Sequence, residues 1–272
     1  MYDFLPQDHK ALSTDKSLQQ FLTKDGALYL VLNRPEVHNA FNGDLIQNIL
    51  EALEAAAENK AVRCMILTGS GANFCAGGDI NYMRSLGTNS FEENKDDALQ
   101  MAYLMQALNE FPKPTIARVN GAAYGGGVGL LCCCDMAFGT KNTKICLSEV
   151  KIGMVPATIG PYILKAIGTR NAHRLMLTAE VMQGHEAVDH QLLTAVFKEE
   201  EFEQKLQSIS KKISRNAPEA LNITKALLLN LAYQPVNDGV VDYTAEVIAN
   251  VRASEEGKEG LAAFLEKRRP RY

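Results

Sequence analysis

No apolar run in the sequence approaches the ~20 residues that a membrane-spanning helix needs, so no membrane span is expected. Charge of one sign is also missing. With 28 Lys+Arg against 32 Asp+Glu the net charge is -4, which favours no broad binding of nucleic acid, although a local basic patch for an anionic ligand stays open. The amino end carries Asp3 and Asp8 but no arginine and no long apolar stretch. It has the marks of neither a secretory signal nor a mitochondrial presequence, and a cytoplasmic protein is expected. There is no paired CxxC pattern, so no metal site is expected. The cysteines that are present include Cys132, Cys133 and Cys134 within VGLLCCCDMAF, which reads as small buried side chains in a reducing compartment. His9, His38, His173, His185 and His190 form no compact motif, and His185 and His190 do not make HExxH. No GxSxG elbow is found, and Ser148 has no recognisable histidine partner. Neither G-x-x-x-x-G-K-[ST] nor a strand–GxGxxG–helix fingerprint occurs, which counts against nucleotide hydrolysis and NAD binding.

The 272 residues, 46% of them apolar, suffice for one sizeable core or for a main domain with a smaller appendage. ALYLVLN (27–33) is β-like and NRPE then turns the chain. Asn42 can cap a helix with Leu45, Ile46, Ile49, Leu50 and Leu53 on one face, and VRCMILTG (62–69) reads as the next strand. Strand, helix, strand at this spacing opens a right-handed βαβ unit. The polar stretch 77–98, interrupted by Gly87, is expected to form short helices and a mobile, lid-like loop. An apolar helix over 99–111 ends at Pro112 and Pro114, and the strand TIARVN follows. Beyond residue 160 the pattern turns helical, over 161–178, 199–214, 218–229 and 239–265. The expected division is an α/β core over 1–195 and a helical domain over 196–272.

Two glycine turns stand out. Three consecutive glycines, Gly125–Gly127, just before a helix cost backbone entropy unless close approach or a special dihedral is needed. Their N–H groups suit an anion or a developing oxyanion, but tight helix–strand packing explains them equally well. The second turn, Phe74–Asp79, follows the strand VRCMILTG, and Asp79 can cap the next helix. Spacing alone does not show whether the two turns converge. Glu149 lies between an apolar run and a glycine/proline loop, where partial desolvation would raise its pKa toward acid–base use. The competing account is a surface glutamate paired with Lys144 or Lys151. Asp135 is the nearest candidate for a partner carboxylate and reads as a helix-end residue. His38 reads as a turn residue more readily than as a ligand contact. The tail, Gly260–Tyr272, sets Leu261, Phe264 and Leu265 beside a basic cluster, which suits a docked helix, a cover for a phosphate-bearing ligand, or both.

In order along the chain, LNRPEVHNAF, ILTGSGANFCAGGDI, ARVNGAAYGGGVGLLCCCDMAF, LSEVKIGMVPATIG, LTAE and EGLAAFLEKRRP resemble the enoyl-CoA hydratase/isomerase (crotonase) superfamily, from about residue 20 to residue 271. GGGVGL and SEVKIGMVPATI are similar to methylglutaconyl-CoA hydratase-like members. The resemblance implies an α/β fold, a crotonase-like ββα spiral core with a helical C-terminal trimerisation domain. It also implies an acyl-CoA thioester substrate, a homotrimer or homohexamer, and no cofactor beyond the coenzyme A carried by the substrate. By motif, the backbone N–H groups of Gly78 and Gly126 become an oxyanion hole and Glu149 the proton-transfer group. Ala40 and Ala76 fall on segments lining the CoA channel, and Phe264 and Lys267 on a terminal helix that approaches CoA. The best-known hydratases use two glutamates, and the earlier position here is Gly129, so the two-glutamate mechanism does not transfer. Expected is hydration of a 2-enoyl-CoA, branched or carboxylated such as methylglutaconyl-CoA, with space left by Gly129 and polarity from Arg118 or Tyr124. The alternatives are a double-bond isomerase with Glu149 as its single shuttle, and a noncatalytic acyl-CoA binding protein.

Overall fold

The computed structural model describes residues 2–14 and 16–272. At the amino end β1 (His9–Thr14), β2 (Leu18–Thr23) and β3 (Ala27–Leu32) form an antiparallel meander. The short turn at Lys24–Gly26, with Gly26 at φ +82, can join only neighbours of opposite direction. Helix α1 (Gly43–Glu58) then makes the crossover that a parallel partner requires, and β4 (Cys64–Gly69) pairs with β3 from Ala27↔Cys64 to Leu32↔Gly69. Asn42 caps α1 by accepting the Leu45 N–H at 3.0 Å, and Leu45, Ile46, Ile49 and Leu53 form its buried face.

The polar stretch resolves into α2 (Ile80–Leu86) and the start of α3 (Phe91–Asn109), which begins earlier than its apolar pattern. Ser90 and Glu93 form a capping box there, so the first turns of α3 are held by backbone caps rather than by burial. β5 (Thr115–Arg118) follows, then β6 (Ala122–Tyr124), α4 (Gly126–Cys133), β7 (Met136–Thr140) and β8 (Lys144–Cys146). Helix α5 (Gly160–Thr178) is broken at Gly168, φ 71. After it come β9 (Met182–Gln183), α6 (Gly184–Asp189) and β10 (Ala195–Phe197). The seven-stranded sheet has the order β1-β2-β3-β4-β5-β7-β10 and is parallel from β3 onward, while β6, β8 and β9 make a smaller sheet.

Period-two alternation gives the large sheet two covered faces. Leu28, Leu30, Leu32, Met65, Leu67 and Ala117 join α1, α3, α4 and α5 on one side. Tyr29, Val31, Cys64, Ile66 and Ile116 pack on the other with Phe202 and Leu206 of α7 (Phe202–Ser214). The expected division between 195 and 196 instead cuts through β10, which pairs with β7 in the large sheet, and α7 also packs on that sheet. Helices α8 (Pro218–Leu231), α9 (Asp238–Ala253) and α10 (Glu255–Leu265) bury little and leave Leu228, Val241, Ile248, Leu261, Phe264 and Leu265 exposed. No helix among the described residues is long and apolar enough to cross a membrane.

One polar cluster ties α8 to the core. Lys225 is 7% exposed, donates to Asp135 at 2.9 Å and to the Lys113 carbonyl at 3.2 Å, and the same Asp135 oxygen accepts the Thr115 N–H at 2.7 Å. Asp135 is thus a structural residue rather than a second catalytic carboxylate. Lys225→Met should cost about 1–3 kcal/mol in urea unfolding, less than for a fully buried pair because Asp135 keeps some contact with water. A loss within error of zero would mean that the pair does not hold α8 in place.

Candidate active site

The site is assembled at the carboxyl ends of the parallel strands, where loops leave the sheet. The loop after β3 puts His38 (φ 53) and Asn39 (φ 58) in the left-handed region. Asn39 is fully buried, accepts the Arg34 N–H at 2.9 Å and donates to the carbonyls of Ser70 and Asn73 at 2.9 and 2.8 Å. These bonds compensate the unusual backbone and tie two loops together. His38 is exposed with Nδ1 at 2.9 Å from the Asn73 amide nitrogen, as a turn residue should be.

The loop after β4 is laid against the first. Ala76 N–H donates to the His38 carbonyl at 3.0 Å, Phe41 N–H to Gly77 at 2.7 Å, and Asp79 N–H to Phe41 at 2.8 Å. Arg34 clamps the junction, donating through Nη1 to the Ala40 carbonyl at 2.6 Å and through Nη2 to Asp79 at 2.7 Å. The other Asp79 oxygen caps α2 by accepting the N–H groups of Asn81 and Tyr82. Burial pushes the Asp79 carboxyl up, but Arg34 and those two amides outweigh it and hold it below the ordinary carboxylate range. Ala40, Ala76 and Gly78 therefore share one corner.

The triple-glycine turn meets that corner. Phe74 N–H donates to Ala122 and Tyr124 N–H to Cys75, so the two turns run side by side. Gly77 (φ +89) and Gly125 (φ +50) need the conformations that glycine tolerates best. A Cβ on Gly77 would lie 2.9 Å from the Tyr124 carbonyl oxygen and 3.5 Å from the Gly126 nitrogen. The turns are thus in van der Waals contact. Among the described residues, no backbone or side-chain acceptor takes the N–H of Gly78 or of Gly126, whereas Gly125 N–H is used by the Cys146 carbonyl. Gly126 opens α4, so the helix adds its partial positive charge.

Glu149 follows β8 at the start of a short 3-10 turn, Glu149–Ile152. Its Oε1 lies 3.2 Å from where a Cβ on Gly125 would be, and its buried Oε2 has no hydrogen-bond partner. Neither Lys144 nor Lys151 forms an ion pair with it among the described residues. Burial raises the Glu149 carboxyl above its ordinary range, and its own backbone N–H offsets this only in part. The structure therefore brings Gly78, Gly126 and Glu149 together, with Ala40 and Ala76 beside them.

Two expectations are corrected. Gly129 leaves no free space: a Cβ there would lie 2.2 Å from Ile159 Cγ2 and 3.1 Å from Met105 Sδ. Arg118 supplies no polarity to the site either. It alternates with Ala117 on β5 onto the opposite sheet face, where Glu203 pairs with it and Phe4 and Phe202 stack on it. Phe264 and Lys267 stand apart from the glycine turns in the hydrogen-bond pattern. Phe264 is 79% exposed, and α10 packs on α8 and α9.

The apolar wall of the site was not among the residues expected from the sequence. The Phe41 ring comes to 3.1 Å and Met101 Cε to 3.7 Å from the Cβ position of Gly126, while Met83 Sδ lies 2.7 Å from that of Gly78. The i, i+4 spacing of Met101 and Met105 was a legible signal for one helix face. A separate cavity of about 690 Å³ lies between α4, α5 and α8. Its Asp135 and Lys225 are bonded to each other, and Cys132 and Cys134 on its wall have thiols pushed up to about 12 by burial, so it holds no activated group.

A family model described as enoyl-CoA hydratase/isomerase matches residues 23–272. The chain is 34% identical to a crotonyl-CoA hydratase of Syntrophomonas wolfei over 89% of this chain and 93% of that one. It is 31% identical to a peroxisomal Delta(3,5)-Delta(2,4)-dienoyl-CoA isomerase of Arabidopsis thaliana over 92% and 94%. The crystal structure of an enoyl-CoA hydratase from Shewanella pealeana superposes with a TM-score of 0.91 at 39% identity, covering 94% of this chain and 96% of that one.

Proposed function

We infer the reaction from one premise: the chain belongs to the enoyl-CoA hydratase/isomerase family. It is an enzyme of that kind, with an acyl-CoA thioester as the substrate the family implies. We propose that it adds water reversibly to a 2-enoyl-CoA with an apolar acyl chain, straight or branched. The observation that carries this reading is the contact of two glycine turns with unclaimed N–H groups beside a buried, unpaired Glu149 oxygen. The Gly78 and Gly126 N–H groups would hold the thioester oxygen and stabilise the negative charge it gains as the enolate forms. Glu149 would take a proton from water as the water oxygen bonds to the β carbon, then pass that proton to the α carbon. Atoms balance without a separate cofactor.

Neither the position beside Gly129, filled by Ile159 and Met105, nor Arg118, which faces away, would offer a carboxylated acyl group such as methylglutaconyl a partner. Ala40 and Ala76 would line the CoA channel. Phe264 and Lys267 would cover CoA from a neighbouring copy in a homotrimer or homohexamer, an assembly that the exposed apolar residues of α8–α10 support. The second reading is double-bond isomerisation, favoured by the single carboxylate and by the similarity to the Arabidopsis dienoyl-CoA isomerase.

The test is the conjugated-thioester absorbance. It should fall when straight or branched 2-enoyl-CoA meets the protein, with oxygen from labelled water entering the product. Appearance of that absorbance from 3-enoyl-CoA, without label, would favour the isomerase. No change with any of these substrates would overturn both.

A further inference from the structure

A fixed carboxylate next to an oxyanion hole is an electrostatic liability, and Asp79 directly follows Gly78. Its side chain cannot simply be absent, because it caps α2, and its backbone N–H pairs with Phe41 to hold the glycine turn. The negative charge nevertheless opposes any negative charge developing on an oxygen at the Gly78 N–H. The one ion pair of Asp79 among the described residues is with Arg34, whose side chain is 17% exposed against 8% for Asp79. The second arm of the same guanidinium donates to the Ala40 carbonyl, so the cation is held on both sides and cannot swing into solvent without breaking two bonds.

We propose that Arg34 is a positioning residue of the reaction: it neutralises Asp79 so that the Gly78 N–H faces the enolate oxygen without a competing negative charge. The proposal rests on the oxyanion reading above. It assigns Arg34 a role beyond tying loops together, since the same two bonds serve both purposes. At an effective dielectric of about 20, an uncompensated carboxylate about 6–12 Å from the oxyanion would oppose it by roughly 10- to 100-fold.

The experiment compares wild type, Arg34→Met, Arg34→Lys and the double variant Arg34→Met/Asp79→Asn, each full length. Two readouts are used: kcat on a 2-enoyl-CoA, and the near-ultraviolet absorbance of the acetoacetyl-CoA enolate on the protein as a function of pH. Arg34→Met should lower kcat by about 10-fold or more with a smaller change in KM, and should move enolate formation to higher pH. Arg34→Lys, which keeps the charge but not the fork, should retain most of the enolate signal. The double variant should regain most of what Arg34→Met lost, because asparagine caps a helix about as well as aspartate but carries no charge. Thermal melts separate the two roles: a purely structural Arg34 would lower the melting temperature and leave the enolate titration of the folded fraction unmoved. A wild-type enolate signal that Arg34→Met does not shift, or a double variant no better than the single, overturns the proposal alone. A wild-type protein that forms no enolate with acetoacetyl-CoA overturns the oxyanion reading and the proposal with it.

Discussion

Glu149→Gln should lower turnover of 2-enoyl-CoA by about 100-fold or more while making the folded protein more stable at neutral pH. The two effects share one cause. Oε2 of Glu149 is buried without a partner, and burial raises the carboxyl above its ordinary range. The proton is therefore bound more tightly in the folded chain than in the unfolded one. Stability falls as pH rises from the unfolded pKa through the raised folded value, and above that value the full penalty of a desolvated carboxylate is present. Glutamine fills the same volume without the charge. The gain in melting temperature should be present at pH 7 and should shrink as the pH falls to about 4 and below, where the carboxyl becomes protonated in both states. Activity should show the mirror image, with kcat/KM of the wild type falling as pH drops through the raised value, because a base must be ionised to accept the first proton. A glutamine variant that turns over at the wild-type rate would sink the catalytic assignment. One that is no more stable at pH 7 than at pH 4, relative to wild type, would sink the account of the buried charge.

Gly129→Glu, which would recreate a second glutamate, should fail as an enzyme because it fails as a fold. A Cβ at 129 would lie 2.2 Å from Ile159 Cγ2 and 2.9 Å from Ile159 Cβ. Ile159 is 2% exposed and β-branched, so it has little freedom to rotate away, whereas Met105 can bend. Even Gly129→Ala should cost about 1–3 kcal/mol through overpacking. The glutamate adds a carboxylate to an apolar contact, and its soluble yield and melting temperature should fall further. Ile159→Ala placed with Gly129→Ala should recover part of the loss, since the clash and the cavity offset one another. A stable Gly129→Glu protein with raised hydratase activity would show that the site has room for a second carboxylate after all.

Much of the architecture was legible in short segments. ALYLVLN and VRCMILTG read as strands because their side chains are apolar on both faces, which is what a parallel strand covered twice requires. The early start of α3 was also legible, through Ser90 and Glu93, but the apolar count favoured residue 99 and passed over the cap. Arg118 was misplaced for a different reason. Its distance in sequence from Tyr124 is short, yet β5 ends between them and alternation sends Arg118 to the face that α7 covers. The side a strand residue takes depends on register against its neighbours, which no local pattern carries.

Gly129 shows the same limit more sharply. A glycine in place of a carboxylate reads as space, but whether space exists depends on what fills it, and Ile159 arrives from 30 residues further along. The chain by itself determined the α/β class, the two glycine turns and the single glutamate after β8, because backbone propensity, turn chemistry and motif order act over a few residues. Tertiary structure alone decided that the turns touch, that the Glu149 oxygen is left without a partner, that Arg34 and Asp79 meet across 45 positions, and that the wall near Gly129 is apolar. Those are distances between segments remote in sequence, and only the packing of the whole chain sets them.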